Sequence, residues 1–533
     1  MDISKILLAL TSGVLLAVAW PTYGFVFCLF FAFVPLFIAE FKLRQKSTSK
    51  TKLKLFSYAY VAFLIWNLIT TSWLYYSDAF GMFFAVLVNS LLMSLVFLLY
   101  HIVAKRVNFT AASSFFVAIW ICFEYLHLHW EFSWPWLNLG NAFSENTALI
   151  QWYEYTGTFG GTLWVLLSNV LIFKTVLLFQ QHKEKSILVR NAFKLFLLIG
   201  LPILASFVIR ANLAEAEDYI EVVALQPNID PYSEKYHTDD EAMKTKLLEL
   251  ASIKIKASTD LVLLPETVFA QGTRLGKYQL SEAHSFSQSL ISNYPNVSVL
   301  GGISAYDILA NETQKSHQSN WHQRGFWYND YNAAFFEQAN KQPEFYYKSK
   351  LVVGVENFPY QSVLRPILGD VMLDLGGTVA MKTTQSDRSA FALSNDVKVA
   401  PIICYESVYG EFVTGYVKNG AQILGIMTND AWWGETQGHQ QHWSYAKLRA
   451  LETRKAVVRS ANTGFSGFID ADGTVFKKTA YNQKTVISTK VPVYNKTTFY
   501  VQTGDYLARI AQFLALFIFL FAVVKFKRSG VKR

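Results

Sequence analysis

Eight hydrophobic runs punctuate the chain, at about residues 6–20, 25–40, 55–76, 80–104, 111–128, 157–180, 193–211 and 506–525. A bilayer core takes about 20 apolar residues per helix, so the pattern predicts eight spans. The first two runs are short and separated only by Pro21-Thr22-Tyr23-Gly24, which predicts a tight hairpin of two short helices; one long kinked helix is the competing reading. Between the seventh and eighth runs the pattern changes. Short β-rich stretches at Ile220–Leu225, Leu261–Leu264, Val297–Gly301, Val399–Ile403 and Gln422–Thr428 alternate with polar, helix-like stretches at Glu241–Ala257 and Gln441–Arg459. This predicts an α/β domain long enough for one large core. The expected organisation is a seven-helix membrane domain over 1–212, an external domain over 213–505, and an eighth helix with a basic tail over 506–533. No internal repeat or low-complexity tract interrupts it.

Composition agrees. Only 16% of residues are charged, against about a quarter in soluble domains, which excludes a disordered chain. Three Cys in 533 residues exclude a disulfide scaffold. The net charge of +9 could suggest nucleic acid, but residues 42–54, 105–106, 182–194 and 525–533 hold 17 of the 48 Lys and Arg with a single acid, Glu184. The rest of the chain is net negative. Basicity beside hydrophobic runs is a topology signal, not a nucleic-acid footprint. With both termini cytoplasmic, all four basic segments fall inside. The opposite loops near 76–80 and 128–156 contain no Lys or Arg. The large insert is then external, in the periplasm or its equivalent. The first run has no small-residue cleavage site and continues into Pro21, so it reads as an uncleaved span.

Chemistry is concentrated in the insert. Cys404 is its only Cys and ends an apolar strand, where an α/β protein can expose a nucleophile. Cys28 and Cys122 lie in spans and read as small apolar residues. Leu263-Leu264-Pro265-Glu266 places a carboxylate directly after another apolar strand. In the run Tyr346 to Glu356, Lys348 stands eight residues before a second Glu. Alone, each has an ordinary reading as a buried Cys, a strand-end Glu or a solvated Lys. Together they form a chemically sensible set. A thiol needs a base, a Glu screened from water has a raised pKa and can be that base, and an ammonium can stabilise an oxyanion.

These three motifs resemble the Glu-Lys-Cys triad of the nitrilase superfamily, and the chain as a whole is similar to the apolipoprotein N-acyltransferase family. The likeness extends to Gln226-Pro227-Asn228-Ile229, Tyr331-Asn332-Ala333, Asn429-Asp430-Ala431-Trp432-Trp433-Gly434, Gln441-His442, Arg449-Ala450-Leu451-Glu452 and Arg459 through Gly464. In the membrane part it includes Pro135-Trp136-Leu137, Gly140, Gln151 and Gly157. The resemblance implies a multi-span α-helical membrane domain plus an external nitrilase-like four-layer αββα sandwich. It implies a ping-pong acyl transfer on Cys404, with Glu266 as base and Lys348 at the oxyanion beside the Tyr405 N–H. Glu356, Tyr405 and Glu406 would support them. The donor would be a membrane phospholipid, and the acceptor the α-amine of the N-terminal diacylglyceryl-Cys of an apolipoprotein. No cofactor or metal is implied, and the protein would be a monomer in the inner membrane.

The aromatic loop Trp130–Trp136 suits a membrane interface, and Trp136 and Tyr236 are candidates for substrate-binding loops. Pro231–Tyr236 and Asn357–Leu364 are candidate lids. The sequence also departs from the family pattern. His127 stands where the family often has a basic residue after the intramembrane Glu124, which can be functional or a packing group. Tyr236, next to Lys235, replaces a frequent Trp. Leu351-Val352-Val353-Gly354-Val355-Glu356 keeps the spacing with a different filling. His439 and His442 lack a third metal ligand and read as structural. A membrane-tethered amidase or nitrilase-type hydrolase is the alternative with the same triad. A transporter with a regulatory domain and a catalytically dead scaffold fit less well.

Overall fold

The computed structural model describes every residue except Met1, Ser47, Tyr236, residues 364–379 and residues 531–533. It divides into two compact units. One comprises Met1–Tyr75, Ala79–Asn212 and Thr503–Arg533, and the other Tyr76–Asp78 and Leu213–Gln502.

The first unit is helical. Among the described residues, seven helices are long and apolar enough to cross a bilayer: Val26–Gln45, Thr51–Tyr76, Ala79–Ala104, Phe109–His129, Thr158–His182, Lys185–Ala211 and Tyr506–Lys525. The expected short first helix forms as Ile3–Val18, an apolar helix of 16 residues. At 1.5 Å per residue it rises about 24 Å, short of a bilayer core of about 30 Å. The expected hairpin forms, since the Ser12 hydroxyl accepts from the Leu36 N–H at 3.1 Å. Its second arm is not one regular helix. A 3-10 turn at Val26–Phe30 precedes the α-helix Val34–Gln45. Asn169 stitches the break, donating to the Leu29 carbonyl at 2.7 Å and accepting from the Phe33 N–H at 2.8 Å.

Glu124 is buried in this unit and accepts from Trp120 Nε1 at 3.1 Å, the Leu139 N–H at 2.9 Å and the Thr162 hydroxyl at 2.6 Å. These bonds tie Phe109–His129 to the following loop and to Thr158–His182. Trp136 is buried in the same unit, edge-on to Trp73 at 4.9 Å.

The second unit is a sandwich of two sheets. Among the described residues, an eight-stranded sheet runs Thr485–Val493, Asp218–Gln226, Leu261–Leu263, Ser298–Ile308, Phe326–Glu337 and Asn320–His322, with Phe269–Arg274 and Glu344–Tyr347 attached to its path. A six-stranded sheet runs Val475–Lys478, Gly467–Ile469, Ala456–Ala461, Ile423–Thr428, Lys398–Ile403 and Phe391–Ala392. The central strands are parallel. Strands buried on both faces read as continuous apolar runs, and all five sequence-predicted strands formed.

Alternation along each strand sorts residues into layers. Val222, Ala224, Leu261, Leu263 and Leu300 face one way and share a core with Val399, Ile402 and Ile426 of the other sheet. Val223, Leu225, Val262 and Leu264 face the other way, against Met243, Leu247 and Phe286 of helices Asp240–Ser252 and Glu282–Asn293. Helices Gly410–Lys418 and Gln437–Thr453 pack on the six-stranded sheet through Val413, Tyr416, Trp443 and Ala446. The layers are thus α, β, β, α. Both expected helices extended too far. The second stops at Thr453, where Arg454 turns left-handed at φ 52°, and the β-branched pair Val457-Val458 enters a strand.

Candidate active site

Three strand ends carry the candidate side chains. Glu266 follows Leu261–Leu263 and Lys348 follows Glu344–Tyr347, both of the eight-stranded sheet. Cys404 follows Lys398–Ile403 of the six-stranded sheet. Its backbone is left-handed at φ 48°, a conformation that costs a non-glycine residue energy and clusters at functional sites.

The Lys348 ammonium lies 2.9 Å from Glu266 Oε1 and 2.9 Å from Glu356 Oε2. Asn332 donates to both carboxylates, at 2.8 and 2.7 Å, while its backbone carbonyl accepts from the Lys348 N–H at 2.9 Å. Glu356 is further fixed by the Val352 N–H at 2.9 Å. Glu266, Lys348, Glu356 and Cys404 are all buried. The charges of Glu266 and Lys348 both act on the thiol.

Electrostatics correct one expectation. Burial alone pushes the Glu266 carboxyl up, but the Lys348 and Lys235 cations outweigh it and hold the pKa below the usual carboxylate value. Burial pushes the Cys404 thiol up, Glu266 adds to that, and Lys348 opposes it. Burial disfavours the Lys348 ammonium, but its two carboxylates raise its pKa well above the ordinary lysine value. The resting site therefore holds an ionised Glu266, a neutral Cys404 thiol and a firmly charged Lys348. Sequence reasoning expected a raised Glu because it counted burial without the neighbouring cations.

Glu406 couples the two sheets. Its Oε1 accepts from the Tyr346 hydroxyl at 2.6 Å and the Ser349 N–H at 2.7 Å, on the Lys348 side. Its Oε2 accepts from the Ile403 N–H at 2.8 Å and the Tyr416 hydroxyl at 3.0 Å, on the Cys404 side. Tyr405 is buried edge-on to Tyr409 at 5.1 Å. The Cys404 carbonyl accepts from the Ser407 hydroxyl at 2.7 Å and lies 3.2 Å from His442 Nε2. His442 Nδ1 meets Asp430 at 2.9 Å, and Asp430 pairs with Arg459 at 2.8 Å. His442 thus holds the Cys404 backbone. His439 packs on Tyr481 at 4.3 Å. Among the described residues no group of His, Cys, Asp and Glu could hold a metal.

Sequence reasoning gave no role to Lys235, Asn332 or Gly302. Lys235 is buried, hydrogen-bonds the Thr267 hydroxyl beside the base, and lies 5.7 Å from the Trp432 ring. Tyr236 lies outside the described residues, as does Leu364 at the end of the second lid candidate. Gly302 lies under the base loop. A Cβ there would come within 2.3 Å of the Thr267 nitrogen and 2.6 Å of the Glu266 Cα. Gly302→Ala is expected to displace Glu266 and cut turnover at least about a hundredfold, since small misplacements of reacting groups cost that much. Melting temperature beside single-turnover rate checks this, because a displaced base lowers rate further than stability.

Known proteins match both units. Residues 12–171 fit the family described as apolipoprotein N-acyltransferase N-terminal domain, and residues 221–495 fit carbon-nitrogen hydrolase. The chain belongs to the carbon-nitrogen hydrolase family, in the membrane-embedded branch typified by the apolipoprotein N-acyltransferases. The apolipoprotein N-acyltransferase of Chlorobaculum tepidum is 26% identical, over 97% of this chain and 96% of that one. Apolipoprotein N-acyltransferase 1 of Treponema denticola is also 26% identical, over 99% and 98%. Among solved structures, an amidase from Nesterenkonia sp. aligns with 56% of this chain and 97% of its own, at 13% identity and a TM-score of 0.36.

Proposed function

We propose that this acyltransferase moves a fatty acyl chain from a membrane phospholipid, through a thioester on Cys404, to the α-amine of the N-terminal diacylglyceryl-Cys of an apolipoprotein. The observation that carries the reading is the buried Glu266–Lys348–Glu356 cluster acting on Cys404, in a chain whose other unit is built of apolar spans.

Each step balances. Glu266 takes the thiol proton as Sγ bonds to the ester carbon. The oxyanion is met by the Lys348 ammonium and the Tyr405 N–H. The ester C–O bond breaks, and the lysophospholipid oxygen takes the proton from Glu266. The acceptor amine then attacks the thioester and passes a proton to Glu266. The C–S bond breaks, and the sulfur recovers that proton. Glu356 and Asn332 hold Lys348 and Glu266 in place throughout. Exclusion of water keeps the thioester from hydrolysing.

Topology supports access to lipid. Two spans separate each basic segment from the next, so all four lie on one side however Ile3–Val18 is placed. By the positive-inside rule that side is cytoplasmic and the catalytic unit is periplasmic.

Intact-protein mass spectrometry after incubation with phospholipid tests the reading. A hydroxylamine-labile acyl adduct is expected, absent in Cys404→Ala and discharged by a diacylglyceryl peptide. Discharge by water alone would indicate a hydrolase. Absence of any adduct on folded protein would refute the nucleophile.

A further inference from the structure

We propose that Lys235 is a positioning residue for the nucleophile: its buried ammonium, tied to Thr267 beside the base, balances the charge of the carboxylate pair so that Cys404 can release its proton. The inference rests on Cys404 being the nucleophile and goes beyond the triad.

The count of charges motivates it. Glu266 and Glu356 share a single ammonium at 2.9 Å, that of Lys348. Left so, the cluster carries one net negative charge and opposes formation of a thiolate beside it. Lys235 brings a second buried cation to the same place. It bonds to the residue that follows Glu266, and its charge acts on Glu266, Glu356, Lys348 and Cys404. For Glu266 its influence ranks next to that of Lys348 among the neighbouring cations.

Cys404 also faces Asp430 and Thr428. Asp430 is engaged by Arg459 and His442, so its charge is compensated locally. The uncompensated charge that remains is that of the carboxylate pair, which a further cation can balance. A cation added beside the carboxylate pair favours the charged form of a thiol that faces them.

Lys235 is itself close to its titration range. Burial lowers its pKa to about 8, against the pull of Glu266 and Cys404. This gives the contribution a pH signature that packing alone would not have.

The test is the rate of Cys404 alkylation by iodoacetamide in the full-length protein without lipid substrate, from pH 7 to 9.5. Cys404→Ala gives the background from the other two thiols. Lys235→Gln keeps a group able to bond Thr267 but removes the charge, and Lys235→Arg keeps the charge. The Gln variant is expected to react about tenfold more slowly at pH 7, the equivalent of about one pH unit. The gap should close as pH passes 8, because the wild-type lysine then loses its own proton. The Arg variant should stay within about twofold of wild type. The wild-type curve carries the test even where a variant fails to fold, since its logarithmic rate should flatten near pH 8. A Gln variant alkylated at the wild-type rate, or equal losses in both variants at every pH, would overturn the proposal. Alkylation needs no lipid, so this outcome is separate from failure of the acyl-adduct experiment.

Discussion

Replacing Glu266 with Gln is expected to slow formation of the Cys404 acyl adduct by about 10³-fold or more, within the range of about 10²–10⁴ for a positioned general base. An amide can occupy the same space and hydrogen-bond, but it cannot take the thiol proton. Burial already holds that thiol neutral, so no spontaneous thiolate substitutes for the missing base. The fold should survive, because Lys348 keeps Glu356 at 2.9 Å and Asn332 keeps a carboxylate partner. Single-turnover mass spectrometry on folded variant protein measures the effect. Adduct formation within tenfold of wild type would remove Glu266 from its role. In the wild-type enzyme, the acid limb of the pH–rate profile should lie below the ordinary Glu value of about 4.3, because the neighbouring cations keep Glu266 ionised.

Lys348→Met should damage both rate and stability. The variant leaves Glu266 and Glu356 buried beside each other, joined through Asn332 with no ammonium between them. Removing one partner of a buried ion pair costs about 3–5 kcal/mol, and losing an oxyanion donor costs about 10²–10³ in rate. The pH dependence of stability should change sign at this site. In the wild type, Glu266 has a lowered pKa, so its contribution is present above the unfolded carboxylate pKa and lost as pH falls through the lowered folded value. Without Lys348, burial dominates and a carboxyl in the cluster titrates above its unfolded value. The variant should then gain stability, relative to wild type, as pH is lowered from 7 towards 5. Thermal unfolding at several pH values reads this directly, and parallel curves for the two proteins would contradict it.

Much of this architecture was legible in the sequence because of how parallel strands are buried. Val399-Ala400-Pro401-Ile402-Ile403 and Leu261-Val262-Leu263-Leu264 have no polar face to lose, so they stood out as runs. The reactive side chains at their ends were visible for the same reason. The partners of those side chains were not. Asn332 lies 66 residues from Glu266, and Tyr346 lies 60 residues from Glu406. No local periodicity reports such pairings. Gly302 carried no signal in the sequence, because the loop that crosses it lies about 36 residues earlier in the chain. Lys235 was noted only as the neighbour of Tyr236, and its burial was not legible from the chain. The first two runs were legible as short, and Ile3–Val18 is a helix of 16 residues.

The clamp formed by Glu406 has a consequence for how the enzyme can fail. Glu266 and Lys348 hang from one sheet and Cys404 from the other, so the distances the proposed reaction needs are those of a calliper whose jaws are the two sheets. A lesion that lets the jaws slide by an ångström can leave every reactive side chain intact and the protein folded, yet leave it inert. Loss of activity in distant variants of the sandwich core should therefore track slackening of the calliper, visible as faster amide exchange at Ile403 and Ser349, more closely than it tracks global stability.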